Sequence, residues 1–432
     1  MEGTIILSRK EARRVRVMEQ IVLGSMSLAE GCHLLGVSYR QGKRIRKRYI
    51  SDGVGGLAHK GRGKSSSKAV SASLRETVLS LKSGVYAIHN DTHFTEALAE
   101  REDINLSRET VRQILRGAGV AAKRGRKAPQ HRKRRERRPV EGMMAQWDGS
   151  PHRWFGDDLP PCCLMAAVDD ATGKLLGALF VQSESSESYL RLLAMVARRH
   201  GVPVSVYHDR HSSLVRNDPY WSIEEELAGS RYPTHVGRVL AELGIESIQA
   251  GSPQAKGRIE RAFGVLQDRL IAEMTLEGIK EMEMKSANEW LEKVFIARHN
   301  ARFAKPGPKE GSAFRKVGAQ EMYNAMVFAY EAVVGSDNCV RLGGMMIDIP
   351  AGKGGRGYAK SRVSVRQHLD GKWSVWKDGV KIATGKATAM REPVRQWKRR
   401  NGKSDTKSRE TIQVYIASKP ASPEKGTFSL CR

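Results

Sequence analysis

Apolar residues recur at helical spacing through the first part of the chain. Within residues 8–23 they lie three or four positions apart, at Val15, Met18, Ile21 and Val22. This spacing predicts an amphipathic helix. Residues 27–49, SLAEGCHLLGVSYRQGKRIRKRY, predict two further helices with a turn at Gly36 between them. We therefore predict a helix-turn-helix domain over residues 1–60.

A second helical pattern follows a Gly/Ser/Lys-rich linker at residues 61–69. It covers residues 70–120 and ends in LSRETVRQILRGAG, where Ser107 is a good N-cap. Val111, Ile114 and Leu115 share one face. We predict a second helix-turn-helix unit in tandem with the first.

The hydrophobic pattern changes at about Met143 to short apolar segments. Their order is three strands, helix, strand, helix, strand, helix, with a hairpin turn at Asp169–Gly173 and helices near residues 186–200 and 234–243. A ribonuclease-H-like α/β sheet has this order, with three antiparallel strands followed by parallel crossovers. We predict such a core over residues 141–305.

The C-terminal third predicts a helical connector at residues 306–335 and short strands at 336–390. Two Asp-Gly pairs, at 370–371 and 378–379, are typical hairpin turns. They favour a small β-barrel, for which a DNA-holding role and a purely structural role are equally compatible with the pattern. Residues 391–432 are polar and basic, which predicts a disordered tail.

The composition of the chain indicates several domains and a negatively charged binding partner. The 432 residues are enough for about three domains. They include 74 Lys and Arg against 47 Asp and Glu, a formal net charge of +27. Such an excess predicts a polyanion partner, and double-stranded DNA is the first candidate.

The basic charge is densest in KRGRKAPQHRKRRERR, residues 123–138, which holds ten Lys or Arg and one Glu. The predicted linker, 121–140, would track DNA phosphates, with a merely solvated linker as the alternative. Its candidate contacts are Lys123, Arg124, Arg126 and Lys127.

The predicted recognition helix begins after Ser38 and carries side chains suited to bases and phosphates in a major groove. They are Arg40, Gln41, Lys43, Arg44 and Lys47. In the second unit, Arg108 and Arg112 are the corresponding candidates. Gly42 departs from the pattern, because an apolar core residue is usual there. The alternative is a three-helix bundle with a solvated basic face.

Cysteine and histidine spacing gives little sign of a structural metal. The five cysteines form no C-x-x-C pair, so neither a disulfide framework nor a zinc site is indicated, and a reducing compartment is expected. His89 and His93 are spaced like half a zinc site, but we interpret them as polar loop residues. No apolar run reaches the roughly 20 residues of a membrane span. We expect a cytoplasmic protein, in contact with the nucleoid if it is bacterial.

Three carboxylates lie where strand ends of the predicted sheet would meet. Asp148 lies in the first strand, Asp209 ends the fourth, and Glu260 lies on the helix after the fifth. Converging carboxylates repel each other unless cations neutralise them, which implies divalent metal. Two Mg²⁺ ions about 3.5–4 Å apart could serve an in-line phosphoryl displacement.

The helix that carries Glu260 is predicted to begin at Ser252 as N-cap, with Pro253 in its first turn. Ile259, Phe263, Leu266 and Leu270 fall on its core face. Glu260 lies on a neighbouring strip with Lys256, at the border of the core. We assign Lys256, Arg258 and Arg261 to DNA phosphates.

Other polar residues near these carboxylates are given structural roles. Asp169 and Asp170 precede a Thr-Gly turn and are best explained as hairpin residues. Asp157 and Asp158 are interpreted as loop residues. His208 and His211 could touch DNA or metal, and a polar role at the strand end is an equal alternative.

The chain resembles bacterial insertion-sequence transposases with an integrase-type DDE core, particularly the ISNCY group. The matching stretches are QWDGS, YHDRHS, SPQAKGRIERAFGVLQDRL and HNARF, beginning at residues 146, 207, 252 and 299. The resemblance implies that Asp148, Asp209 and Glu260 are a catalytic triad. It would bind two Mg²⁺ ions, with Mn²⁺ as a substitute, to cut transposon ends and join their 3′-hydroxyls to target DNA.

The intervals between the triad residues are 60 and 50 residues, and the second is long for such relatives. We attribute the excess to an acidic loop or short helical insertion at 212–233. Pairing two ends implies a homo-oligomer, at least a dimer. Retroviral-type integrases would bring an N-terminal zinc module that this sequence lacks. The alternative from another class is a non-catalytic DNA-binding regulator derived from a transposase.

Overall fold

The computed structural model describes residues 7–59, 70–123, 135–156, 158–251, 256–279, 283–342 and 345–386. The chain divides into two compact units, Met1–Ser80 and Leu81–Arg432. Arg124, Arg126 and Lys127 of the basic linker, Asp157 and the predicted tail at 391–432 lie outside the described residues.

The N-terminal unit contains the predicted helix-turn-helix. Its helices are α1 (Arg9–Val22), α2 (Leu28–Leu35) and α3 (Tyr39–Asp52). Gly36 ends α2 in the left-handed region, at φ 63°. Ser38 caps α3 as predicted, because its hydroxyl accepts the Gln41 amide at 3.3 Å. Met18, Ile21 and Ile45 are buried where the three helices meet.

The unexpected glycine of α3 has a packing reason. Gly42 is buried, and a Cβ added there would lie 2.1 Å from Cys32 Sγ of α2. The two helices approach so closely that no side chain fits at this position. Gly42 therefore belongs to the helix-turn-helix core, and the departure noted in the sequence does not weaken the domain.

The next three helices are α4 (Ala72–Ser83), α5 (Asp91–Arg101) and α6 (Arg108–Gly117). Ser107 caps α6 by accepting the Thr110 amide at 3.1 Å. The apolar face of α6 is buried as predicted, at Val111, Ile114 and Leu115.

The interpretation of His89 and His93 as polar loop residues is wrong, because both side chains are buried. His93 lies in the first turn of α5, and its Nε2 is 2.8 Å from a carboxylate oxygen of Glu273. Both rings therefore pack in the interior, and the His93 ring contacts the Glu273 carboxylate.

The central sheet has the predicted strand order. Its strands are β1 (Met144–His152), β2 (Cys162–Asp169), β3 (Leu175–Val181), β4 (Ser205–His208) and β5 (Glu246–Gln249). They lie in the order β3-β2-β1-β4-β5. β1, β2 and β3 pair antiparallel, and β4 is parallel to both β1 and β5. The hairpin turn closes with the Gly173 amide donating to the Asp169 carbonyl at 2.9 Å.

Helices cover both faces of this sheet. They are α7 (Ser186–Arg199), α8 (Ile223–Ala228), α9 (His235–Glu242), α10 (Gly257–Leu276), α11 (Met284–Trp290) and α12 (Ile296–Phe303). Residues of α7 and α9 share one core with the sheet, and residues of α10, α11 and α12 share the other. The α8 helix lies in the 212–233 insertion, where Arg216 pairs with Asp218 and Glu225.

The described part of α10 begins later than the predicted cap. The helix begins at Gly257, and its N-cap is Lys256, whose side chain makes no capping hydrogen bond. Ser252 and Pro253 lie outside the described residues. The predicted core face is present, with Ile259, Phe263, Leu266 and Leu270 all buried.

Two asparagines hold the free edge of β3. Asn300 accepts the Leu175 amide at 2.8 Å and donates to the Leu175 carbonyl at 2.9 Å. Asn288 does the same for Phe180, at 2.6 and 2.9 Å. The backbone groups of Leu175 and Phe180 are thus satisfied by side chains of α12 and α11, which makes this edge less able to pair with another chain. Asn300 belongs to the HNARF motif, so this part of the motif has a structural role.

The C-terminal strands form an open sheet. The elements are α13 (Ala319–Ala325), β6 (Val327–Val333), β7 (Cys339–Leu342), β8 (Met345–Asp348), β9 (Arg362–His368), β10 (Trp373–Lys377) and β11 (Val380–Gly385). Four strands lie in the order β11-β10-β9-β6, and β7 and β8 form a separate hairpin.

Within the described residues these strands do not close, so the predicted β-barrel is not confirmed. The predicted helical connector, 306–335, contains α13 but also β6, which pairs with β9 along its length. The second Asp-Gly turn is present, with Asp378 at φ 46° and Gly379 at φ 76°, as a two-residue hairpin requires.

Candidate active site

The pairing of β1 with β4 brings the first two carboxylates side by side. Gln146 of β1 is in register with Tyr207 of β4. Asp148 and Asp209 each lie two residues further on, so their side chains emerge next to each other on the same face. This is the edge of the sheet at which the parallel strands end, where sites of α/β proteins usually lie.

A single ammonium group links the two aspartates. Lys256 Nζ lies 2.8 Å from Asp148 Oδ1 and 3.3 Å from Asp209 Oδ2. The Lys256 side chain is only 9% exposed, against 18% for Asp148 and 44% for Asp209. The lysine assigned to DNA phosphates is therefore engaged within the site.

The pKa values of Lys256 and Asp148 are both raised, for different reasons. Burial lowers the pKa of Lys256, but the hydrogen bond and charge of Asp148, together with the charge of Asp209, outweigh it and raise the pKa above its ordinary value. Burial raises the pKa of Asp148 despite the Lys256 ammonium, and the charges of Asp209 and Glu184 add to the rise. Burial is thus the main cause of the raised pKa of Asp148, and carboxylate oxygens are of the kind that divalent cations prefer.

The structure does not bring Glu260 into this pair. Glu260 lies in the first turn of α10, four residues after Lys256, and its side chain is exposed. The expectation that it borders the core is therefore wrong. In the parts of the chain that the structure describes, no group of three or more His, Cys, Asp or Glu side chains is arranged to hold a metal ion.

Glu184 is a further carboxylate at this edge that the sequence analysis missed. It follows β3 by three residues and precedes Ser185, the N-cap of α7. A Cβ placed on Gly149, the neighbour of Asp148, would lie 2.6 Å from Glu184 Oε2. Because β3 runs parallel to β1, which is two strands away, and to β4, which is three strands away, its carboxyl end reaches the same edge. That topological rule could have identified Glu184.

Tyr189 fixes the Glu184 carboxylate through a hydrogen bond. The buried phenol donates a hydrogen bond to Glu184 Oε1, and burial together with the Glu184 charge raises the pKa of Tyr189. The phenol therefore stays protonated and acts as a fixed donor. Tyr189 is on α7, so this contact ties the carboxylate to the helix that packs beneath the sheet.

The two histidines beside Asp209 have different surroundings. His208 is buried, with Nδ1 2.5 Å from the Asp209 carbonyl and Nε2 2.7 Å from Ser247 Oγ. These contacts give it the structural role at the strand end. His211 donates its backbone amide to Asp209 Oδ1 at 3.0 Å, which orients that carboxylate.

Arg258 is also engaged within the protein. Its guanidinium lies 2.5 Å from Asp170 Oδ1, and Arg135 Nη2 lies at the same distance from that oxygen. Asp170 is fully buried and accepts a third side-chain hydrogen bond from Gln146 at 2.7 Å. Asp170 is therefore more than a hairpin residue, because it anchors the start of α10. Asp169 has the predicted turn role, accepting the Thr172 amide at 2.8 Å.

The remaining predicted DNA contacts divide by location. On α3 the candidates are exposed, at Arg40, Gln41, Lys43, Arg44 and Lys47. On α6, Arg108 and Arg112 are exposed, and Arg112 pairs with Glu109 at 2.6 Å. Lys123 pairs with Asp268 at 2.8 Å. Arg261 is exposed on the first turns of α10.

The chain is similar to several known proteins. A helix-turn-helix domain family matches residues 13–65. A putative transposase, y4bF, of Sinorhizobium fredii strain NGR234 is 37% identical over 302 residues, covering 70% of this chain and 64% of the relative. The chain is similar in sequence to bacterial transposases. The transposase for insertion sequence IS1202 of Streptococcus pneumoniae is 28% identical over 315 residues, covering 65% of this chain and 66% of the relative.

The resemblance to insertion-sequence transposases is thus confirmed, and the chain spans 64% and 66% of the length of these two relatives. Among solved structures, a chain of a simian T-cell lymphotropic virus intasome in complex with PP2A regulatory subunit B56 gamma matches at 15% identity and a TM-score of 0.28. It covers 72% of this chain and 98% of its own. The HTLV-2 integrase catalytic core domain in complex with magnesium matches at 15% identity and a TM-score of 0.25, covering 35% and 86%.

Those TM-scores are too low to support an argument, and the fold rests on the strand order described above. Within the described segments, no helix combines the length and apolar character that crossing a membrane requires.

Proposed function

We propose that the chain is a DNA transposase that binds the ends of its element, cleaves a strand there and joins the freed 3′-hydroxyl to target DNA. The observation that carries this proposal is the pair Asp148 and Asp209, held 2.8 and 3.3 Å from one cationic atom at the carboxyl edge of the sheet. The sequence similarity to transposases supports the same reaction class.

The donor set of the site fits a divalent metal. Asp148 and Asp209 offer carboxylate oxygens around one cation position, which the Lys256 ammonium occupies in this structure. Glu260 lies one helical turn after Lys256. In this proposal Asp148, Asp209 and Glu260 would hold two Mg²⁺ ions, for which Mn²⁺ would substitute, and Glu260, which is exposed in this structure, would have to turn toward the aspartates. When bound, such ions supply Lewis-acid stabilisation of the attacking and leaving oxygens of an in-line displacement.

Other residues of the chain would position and orient these carboxylates. The His211 amide and the β1–β4 pairing fix Asp209 and Asp148, and Asp170 fixes the start of α10 through Arg258. Because these groups are tied to the rigid sheet, the carboxylates need little reorganisation when substrate arrives.

The helical segments and the linker would bind the DNA. Exposed α3 is the candidate for the major groove, α6 for a second contact, and the linker residues Lys123, Arg124, Arg126 and Lys127 for phosphates. Arg261, exposed beside Glu260, would contact a phosphate close to the cleaved bond. Two element ends held together require at least a homodimer, working in the cytoplasm on nucleoid DNA.

Strand cleavage and joining on duplex oligonucleotides that carry the inverted repeats flanking the coding region tests the proposal. Wild type is compared with Asp148→Asn, Asp209→Asn and Glu260→Gln, in Mg²⁺, Mn²⁺ or EDTA. We expect cleavage only with metal and losses of more than about 100-fold in each variant, since even groups behind metal ligands are worth about 10–100-fold.

Glu226→Gln is the matched control, because Glu226 is an exposed carboxylate on α8, outside the site. It should cleave like wild type. Variants of the two aspartates that cleave as well as wild type would show that the site is misassigned. Specific DNA binding without cleavage by any protein, wild type included, would favour the regulator.

A further inference from the structure

Lys256 occupies the position between the two aspartates that the proposed function gives to metal. Its ammonium contacts both carboxylates, at 2.8 and 3.3 Å, and its side chain is almost fully buried. Surface lysines seldom adopt such a position, because burying an ammonium is unfavourable unless opposite charges pair with it. The two carboxylates are therefore neutralised in part by a cation that belongs to the chain.

The location of Lys256 in the chain lets it change partners. It is the residue directly before α10, and its side chain makes no capping contact with the helix. The amino end of a helix carries partial positive charge, which repels an ammonium and attracts a phosphate. Arg261 is exposed two turns or less away on the same helix end. A DNA backbone that reached this end would offer Lys256 a phosphate in exchange for the aspartates.

We propose that Lys256 is a built-in counter-cation that competes with divalent metal for Asp148 and Asp209 and yields its place when a DNA phosphate binds it. The inference rests on the proposed function in assigning the two aspartates to metal. Metal and ammonium repel each other at such short range, so both cannot stay between the same oxygens. Metal affinity is therefore low without DNA and rises with it, and by linkage metal also tightens DNA binding.

Direct measurement of Mn²⁺ binding to the full chain without DNA, by electron paramagnetic resonance of free Mn²⁺, tests the competition. Lys256→Met keeps the length and apolar stem of the side chain and removes its charge. We expect it to bind Mn²⁺ at least about tenfold more tightly than wild type, within the range of about 5–150-fold typical of coupled sites. Lys256→Gln should do the same, whereas Lys256→Arg keeps the charge and should bind as weakly as wild type.

Lys293→Met is the matched control, because it removes one exposed positive charge that pairs with Glu289 and to which no metal or DNA contact is assigned. It should leave Mn²⁺ affinity within about twofold of wild type, since exposed charges are screened. Far-ultraviolet circular dichroism and urea unfolding establish that each variant is folded.

The reciprocal arm measures affinity for a fluorescent duplex by anisotropy at constant ionic strength, with and without Mn²⁺. Mn²⁺ should tighten DNA binding by wild type and have a much smaller effect on Lys256→Met. In Asp148→Asn any remaining effect reports the general action of divalent ions on DNA.

The outcomes separate the two proposals. If Asp148→Asn abolishes Mn²⁺ binding but Lys256→Met and Lys256→Gln bind no more tightly than wild type, the counter-cation idea is wrong and the metal site stands. If Lys256→Met binds Mn²⁺ more tightly than wild type and adding Asp148→Asn or Asp209→Asn to it leaves that tight binding unchanged, the metal assignment is wrong and both proposals fall.

Discussion

Replacing Asp170 with asparagine isolates the anchor at the start of α10. Asp170 is fully buried and lies 2.5 Å from both Arg135 and Arg258. It also accepts from Gln146, whose own Oε1 accepts the Ile259 amide at 3.2 Å. Hydrogen bonds therefore run from the hairpin turn to the residue before Glu260. Asparagine keeps the shape but removes the charge that both guanidiniums require.

The expected cost follows from the burial of the partners. Removing one member of a buried ion pair costs about 3–5 kcal/mol. The side chains of Arg258 and Arg135 are 19% and 37% exposed, so both regain some hydration. We therefore expect about 3 kcal/mol, the low end of that range. The loss should be concentrated where α10 meets the sheet.

Asp169→Asn is the matched control, since Asp169 is equally buried and accepts only from neutral donors, the Gly142 and Thr172 amides and the Thr172 hydroxyl. An asparagine oxygen can keep part of this set, so we expect about 1–2 kcal/mol. Urea unfolding gives both free energies, and hydrogen exchange gives their location. Equal costs for the two variants, or unchanged exchange in the first turns of α10, would refute the anchoring argument.

Three further predictions address packing, pH and the sheet edge. Gly42→Ala should destabilise the helix-turn-helix by about 1–3 kcal/mol through overpacking against Cys32. In a Cys32→Ala background the same substitution should instead stabilise it by roughly 1 kcal/mol, as is usual when alanine replaces a helical glycine. Hydrogen exchange in α3 measures both changes. Burial, followed by the charge of His93, lowers the pKa of His89 from 6.5 to about 3. The unfolded chain thus takes up a proton that the folded chain refuses, so stability falls as pH drops through this window, and His89→Phe should flatten the fall in urea unfolding. Asn300→Ala should cost about 1–3 kcal/mol and speed exchange of the β3 edge amide that it holds, whereas unchanged exchange there would contradict the edge-clamp role.

Much of the fold follows from short stretches of sequence. The caps at Ser38 and Ser107, the buried face of α6 and the order of strands and helices along the central part of the chain were predicted correctly. These features depend on residues within a turn or two of each other, or on the simple alternation of apolar segments. The described part of α10 begins at Gly257, and the predicted Ser-Pro cap at residues 252–253 lies outside the described residues.

The contacts within the candidate site could not be predicted from local sequence patterns. The sequence predicted that Asp148 and Asp209 lie together but missed Glu184, and its charge predicted a polyanion partner. Only the tertiary structure showed that Asp148 and Asp209 share Lys256, that Glu184 reaches the same edge, and that Glu260 stays exposed. Lys256 and Arg258 could each have faced solvent or a carboxylate with the same helical pattern. Which partner each side chain contacts depends on carboxylates about a hundred residues away in the chain. Strand register and burial bring those carboxylates within hydrogen-bonding distance. Periodicity and caps therefore determined the elements of this protein, whereas long-range register and desolvation decided which charges meet at its site.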